Sequence, residues 1–286
     1  NPNLPTEETC TQCHPKAMLI EKTKDLPKDS VIIYDRFGNK ILKYSKVHTV
    51  DFKMEKYMTP GNDFYVGENA DVVIVAGCGI HNSSCETSEH DGIHTFHLSK
   101  GAKVKYIEKH YGEGSGDGKR ILNPVTEVYL KSGSSMEMES VQIKGVDSAI
   151  RETKGVLEDN TNFVVTEKIM THGKQSAQTC FDVQLNGENA STHVTSRSVA
   201  TEDSYQHFTS KIYGNSKCFA HSECDAIIKD NAKVKATPEI TANNVDANLI
   251  HEAAIGKIAG EQLTKLMTLG LSEKEAEEQI INGFLR

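Results

Sequence analysis

The sequence lacks any apolar run approaching the roughly 20 residues that a membrane-crossing helix needs, so no helical span is expected. It also lacks a dense block of Lys and Arg interleaved with aromatics. With 32 basic against 40 acidic residues and a net charge of −8, nucleic acid is not the expected partner. No charged-then-apolar leader opens the chain, which sets the expectation of a cytoplasmic protein. Asn-Gly and Asp-Gly dipeptides are few, which argues against an architecture of tight β-hairpins. No Gly-rich loop followed by Lys-Ser/Thr is present: Glu113 to Lys119 (EGSGDGK) has the glycines but not the pair, so this chain carries no nucleotide site and the loop reads as a surface excursion.

What is present, from Val31 onward, is a succession of short β-branched and alternating runs. Val31 to Tyr34, Val72 to Val75, Val104 to Ile107, Val128 to Leu130, Met136 to Ile143, Val164 to Ile169 and His193 to Val199 read as strands. The runs share a phrase, an apolar residue followed by two polar residues and Gly or Asn: Val66-GEN, Leu98-SKG, Leu130-KSG, Leu157-EDN and Ile228-KDN, with looser forms at Leu185 and Tyr213. Successive spacings from Val66 to Tyr213 are 32, 32, 27, 28 and 28 residues. A period of that size, with a second strand between phrases, predicts a stacked-coil β-solenoid in which each coil buries its apolar face against its neighbours. An antiparallel sandwich or barrel is the rival all-β reading.

Three stretches attract attention for chemistry. Seven cysteines, an odd number scattered over a long chain, point to reduced thiols rather than a disulfide framework. Cys10-Thr-Gln-Cys13-His14 could hold a metal or present plain surface thiols. Cys78, His81, Cys85, His90, His94 and His97 form a Cys/His-rich segment able in principle to ligate zinc or iron, although the spacing matches no closed tetrahedral pattern. In Lys217 to Asp225, alternation puts Cys218, Ala220, Ser222, Cys224 and Ala226 on one face, expected to be interior, and Phe219, His221, Glu223 and Asp225 on the other. Inert packing is then the simplest role for Cys224. Against it, Glu252 follows Cys224 by 28 residues, one coil of the inferred repeat. That spacing predicts that Cys224, His251 and Glu252 meet on adjacent rungs as a ligand set for iron.

The end of the chain changes period. Leu263, Leu266, Met267 and Leu269, then Ala276, Ile280, Ile281 and Phe284, recur at helical spacing, with Gly270 between the two groups and Ser272/Glu275 in capping-box spacing. Two short amphipathic helices are predicted, serving as a solenoid cap or a docking surface.

The stretch HEAAIGKIAGEQLTKLMTLGLSEKEAEEQIINGF, from His251 to Phe284, resembles the C-terminal signature of the SufB/SufD family, scaffold subunits of the SUF iron-sulfur cluster assembly system. The resemblance implies a mainly β protein, a right-handed parallel β-helix with a short C-terminal helical segment. Its implied division is an N-terminal arm (1–30), a β-helix core (31–247) and a helical segment (248–286). It implies a non-enzymatic scaffold holding a transient iron-sulfur cluster, with Cys224 matching the cluster-building cysteine, Glu252 the SufB-type glutamate and His251 the SufD-type histidine. The partners implied are a SufC-like ABC ATPase docking on Gln262, Leu263, Leu266, Met267, Leu269, Ile280 and Phe284, and a second copy of the chain or a SufB/SufD-type subunit. Cys78, Cys85, His81, His94 and His97 depart from the family pattern and stand as a secondary metal or thiol site. A β-helix adaptor that recruits the ATPase without building a cluster is the alternative, and metal-assisted hydrolysis at the His81-to-His97 segment is a third reading.

Overall fold

The computed structural model describes residues 28, 30–35, 40–45, 49–53 and 61–285. Cys10, Cys13 and His14 lie outside the described residues. About 60% of the chain is strand, arranged as a parallel β-solenoid of about seven turns followed by two short helices.

Each coil contributes one strand to each of two sheets. The first sheet runs in the order β2 (Lys40–Ser45), β1 (Ser30–Asp35), β4 (Gly61–Val66), β7 (Ile93–Leu98), β10 (Val125–Leu130), β12 (Ser148–Leu157), β14 (Ser176–Leu185), β16 (Tyr205–Gly214) and β18 (Lys233–Ala242). The second runs β3 (Thr49–Lys53), β5 (Asp71–His81), β8 (Lys103–Glu113), β11 (Ser135–Lys144), β13 (Asn162–Thr171), β15 (Ser191–Ala200), β17 (Phe219–Ile228) and β19 (Asn248–Gly256). From β4 onward the pairs in the first sheet are parallel; β1 pairs antiparallel with β2 and β4.

The repeated phrase is the register of the stack. Val66, Leu98, Leu130, Leu157 and Leu185 stand opposite one another in successive coils. At the next rung Leu185 faces Gly214 rather than Tyr213, so that coil is one residue longer than the phrase suggests. Ile228 ends the other sheet, opposite Ala200. Strict alternation drives this packing: β13 and β16 bury every second residue, and Phe64 and Phe96 stack at 4.5 Å inside the coil.

The two 32-residue coils owe their extra length to a third corner. There β6 (Ser88–His90) pairs with β9 (Arg120–Leu122), which pairs with β12. The Glu113-to-Lys119 loop is part of that corner. Its Gly116 and Gly118 amides donate to Asn82 and Ser84 carbonyls, and the Arg120 guanidinium donates to the carbonyls of Glu113 (3.1 Å) and Gly114 (2.6 Å).

After β19 come α1 (Gly260–Thr268) and α2 (Glu273–Phe284). The Ser272–Glu275 capping box forms in both directions, and Gly270 takes φ +97 between the helices. The helices do not cap the solenoid. α1 buries none of its residues, α2 buries Ala276, and Lys229 pairs with Glu277 at a coil corner. The last strands stay open, with Ile240, Ile250 and Ile255 about 40% exposed and Val245 fully so. Among the described residues, no helix is long and apolar enough to cross a membrane.

Candidate functional site

β17 alternates as its sequence predicts: Ala220, Ser222, Cys224 and Ala226 point into the solenoid, and Cys224 is 1% exposed. Burial, reinforced by the negative charges of Glu167 and Asp225, pushes the Cys224 thiol up to about 12. A thiol so placed keeps its proton at neutral pH unless a metal displaces it.

The strand register alters the predicted ligand set. Cys224 faces Ser196 on one side and Ala253 on the other; Glu252 faces Glu223, and His251 faces Ser222. The final coil is 29 residues long at this point, one more than the spacing between Cys224 and Glu252. A one-residue shift moves a side chain to the opposite face of the sheet. His251 therefore shares the inward face with Ser222 and Cys224, whereas Glu252 lies on the outer face, its Oε2 3.4 Å from Nε2 of His221. The prediction that all three side chains meet within one chain is corrected accordingly. His251 is half-buried because no further coil covers it, and burial together with nearby His221 lowers its pKa.

Behind Cys224 the interior is polar, a feature that alternation alone did not reveal. The Ser196 hydroxyl donates to Glu167 (2.9 Å), and the Glu167 carboxylate lies 3.9 Å from the Arg151 guanidinium. Arg151 donates to Glu108 (2.9 Å) and lies 2.5 Å from Nδ1 of His110; the Tyr106 hydroxyl donates to Glu108. All of these groups are nearly or fully enclosed. Burial alone would raise the Glu108 carboxyl, but His110 and Arg151 outweigh it and hold the group well below the carboxylate range. For Glu167 burial wins over Arg151 and the pKa rises. His94, 1% exposed and 3.4 Å from the Asn62 amide nitrogen, is driven down to about 4 by burial.

The Cys/His segment does not form one site. His94 is interior, while His97 stacks between Tyr65 (4.6 Å) and Tyr129 (5.2 Å). Cys85 is exposed in a loop, and Cys78 and His81 lie on β5 opposite His110 and Glu113. Among the described residues, no three His, Cys, Asp or Glu side chains already surround one metal position. On the helices, Leu269 is 76% and Met267 44% exposed, Gln262 is exposed, and Leu263, Leu266, Ile280 and Phe284 are half-buried. The sequence reading missed Glu108, Arg151 and Glu167. It also missed the pairing of His221 with His193 across one coil, which the repeat length could have revealed.

A family model described as the SUF system FeS cluster assembly SufBD core domain matches residues 64–284. An iron-sulfur cluster assembly SufBD family protein of Methanocaldococcus jannaschii is 31% identical over 197 residues, covering 66% of this chain and 60% of its own length. The chloroplastic SufBD family protein ABCI8 of Arabidopsis thaliana is 27% identical over 230 residues, 77% of this chain and 41% of its own. The iron-sulfur cluster assembly protein SufB of Bacillus subtilis is 36% identical over 104 residues, 34% of this chain and 22% of its own. The chain thus matches between about a fifth and three fifths of the length of these relatives.

Proposed function

The chain belongs to the SufBD family of the SUF iron-sulfur cluster assembly system, and on that premise we propose that it is a non-enzymatic scaffold on which a cluster is built at Cys224. Iron and sulfide are its cargo. The observation that carries this reading is the position of the thiol. Cys224 lies one strand from the open end of the solenoid and shares the inward face with His251, whose neighbouring coil is missing. Thiolate and imidazole are competent iron ligands, and iron binding would displace the thiol proton that burial otherwise retains.

In this reading the exposed end receives a second copy of the chain or a related subunit, which brings His251 of one chain toward Cys224 of the other. A SufC-like ABC ATPase docks on the stripe of α1 and α2 that includes Leu263, Met267 and Leu269 and drives the complex between shapes. The setting proposed is the cytoplasm. Glu252 acts from the outer face, reaching an intersubunit site around the edge of β19.

Anaerobic reconstitution with iron and sulfide, followed optically in wild type and Cys224→Ala, tests the assignment. Loss of the cluster bands in the variant is expected; an unchanged yield removes Cys224. One observation favours a second reading, a β-helix adaptor that only recruits the ATPase: Cys224 is enclosed while the apolar stripe of α1 is not. Co-purification with the ATPase, without uptake of iron or sulfide by either protein, selects that reading.

A further inference from the structure

The outer face of the second sheet carries a cluster that the Cys224 site does not use. His193 on β15 and His221 on β17 are register partners, and their rings stand 4.7 Å apart, edge to face at 78°. On the next strand, the edge strand β19, Glu252 Oε2 lies 3.4 Å from His221 Nε2. That nitrogen is enclosed yet makes no hydrogen bond, so the contact is one of charge and proximity without hydrogen-bond geometry. Glu223 is the register partner of Glu252 and adds a second carboxylate on the same face.

Parallel strands about 4.8 Å apart hold same-face side chains at the spacing of neighbouring ligands. Two imidazoles and one carboxylate on successive strands, with the outer side open to solvent, are the donor set that divalent first-row metals take when coordination positions must stay vacant for another ligand. The rings as they stand do not converge. The Glu252 side chain is 67% exposed and free to swing, and His193 is only partly buried, so rotation of these two toward His221 closes the set without moving the backbone.

We infer that His193, His221 and Glu252 form a binding site for a single divalent first-row metal ion on the outer face of the last rungs. Its identification as a holding site for ferrous iron rests on the assembly reading; the metal site itself does not. Its place at the sheet edge is separated from Cys224 by the thickness of one strand, since Glu223 faces out and Cys224 faces in along β17.

Cobalt(II) reports the ligands directly. Titrated anaerobically into the full chain, it is expected to give saturable ligand-field bands without the intense thiolate charge-transfer bands of cysteine ligation. The dissociation constant should rise at least about tenfold in His193→Ala and in His221→Ala, with circular dichroism showing the fold retained. His193→Gln and His221→Gln serve where an alanine variant fails to fold. Cys224→Ala should keep the bands. The inference is overturned if wild type shows no saturable binding, if the histidine variants bind as wild type does, or if Cys224→Ala alone abolishes the signal. The iron and sulfide reconstitution of Cys224→Ala reports separately on the assembly reading, so each can fail while the other stands.

Discussion

Replacing Arg151 by Met tests whether the interior is held by charge pairing. The guanidinium is 3% exposed and sits between Glu108 at 2.9 Å and Glu167 at 3.9 Å, with His110 also in contact. Methionine fills much of the same volume and takes the positive charge away, leaving two enclosed carboxylates without their cation. Breaking a buried pair by removing one partner costs about 3–5 kcal/mol, because the stranded charge keeps its desolvation penalty. For a chain of this size that is a fall in Tm of roughly 6–20 °C.

The same reasoning fixes a second expectation. Glu108→Gln/Arg151→Met removes both charges and should recover a large part of the loss, since replacing an entire buried pair by neutral groups is often near neutral. The pH dependence has a definite sign. Glu108 has a depressed pKa in the folded chain, so its stabilising contribution is present above the unfolded value near 4.5 and is lost as pH falls through the lower folded value. The gap between wild type and Arg151→Met should therefore narrow in acid. Urea denaturation followed by circular dichroism and by tyrosine fluorescence provides the measurement, two probes being needed because a solenoid can unfold coil by coil. A loss under about 1 kcal/mol for Arg151→Met, or a double variant that is merely additive, refutes the charge-pairing account.

Three further expectations follow from single positions. His94 is held neutral in the interior, its pKa lowered from 6.5 to about 4, so it contributes stability that is complete above 6.5 and lost as pH falls through 4. That loss amounts to about 3 kcal/mol between pH 7 and 4, and His94→Gln should flatten this part of the urea-midpoint profile; an unchanged slope would assign it to other groups. Gly145 combines φ +74 with a position where a Cβ would lie 1.8 Å from the Gly112 carbonyl oxygen. Gly145→Ala should destabilise by about 2–4 kcal/mol, whereas Gly256→Ala, with nothing within 4 Å, should change stability by less than about 1 kcal/mol. Ser272→Ala removes the capping box and should speed hydrogen exchange in the first turn of α2 by the equivalent of about 1 kcal/mol; exchange at the wild-type rate would show that packing alone fixes the helix start.

The repeat was legible because the phrase at Val66, Leu98, Leu130, Leu157 and Leu185 marks a position where every coil must turn, and stacking forces those positions into register. The helices were legible from period and cap, but their failure to cover the open end was not, since an amphipathic stripe does not say what it packs against. Periodicity also hides which face is inside. On β8, Val104, Tyr106, Glu108 and His110 point inward while Ile107 is less buried than any of them, so polarity alone assigns the strand's later half to the wrong face. Only the spatial approach of Arg151, from a coil 43 residues later, makes an enclosed Glu108 stable. The Glu252 expectation failed for a narrower reason: coils in this chain vary from 27 to 32 residues, and a spacing argument tolerates no error when one residue exchanges inside for outside.

The open end connects these observations. A solenoid coil is stabilised by the two coils that flank it, and the last coil here has only one. Its inward positions show the consequence: Leu249 and His251 are only half-buried, where the corresponding Ala220 and Ser222 one coil earlier are fully enclosed. The interior is sealed everywhere the charged cluster lies and becomes accessible at the rung beyond Cys224. Anything that covers β18 and β19 would bury Ile240, Ile250 and Ile255, add the missing neighbour to the last coil and enclose His251 in the same step. Stability of the terminal coil and environment of the Cys224 site are thereby coupled: a ligand or subunit that stabilises one changes the other. A variant that loosens the last coil should therefore weaken cluster retention even when Cys224 and His251 are intact.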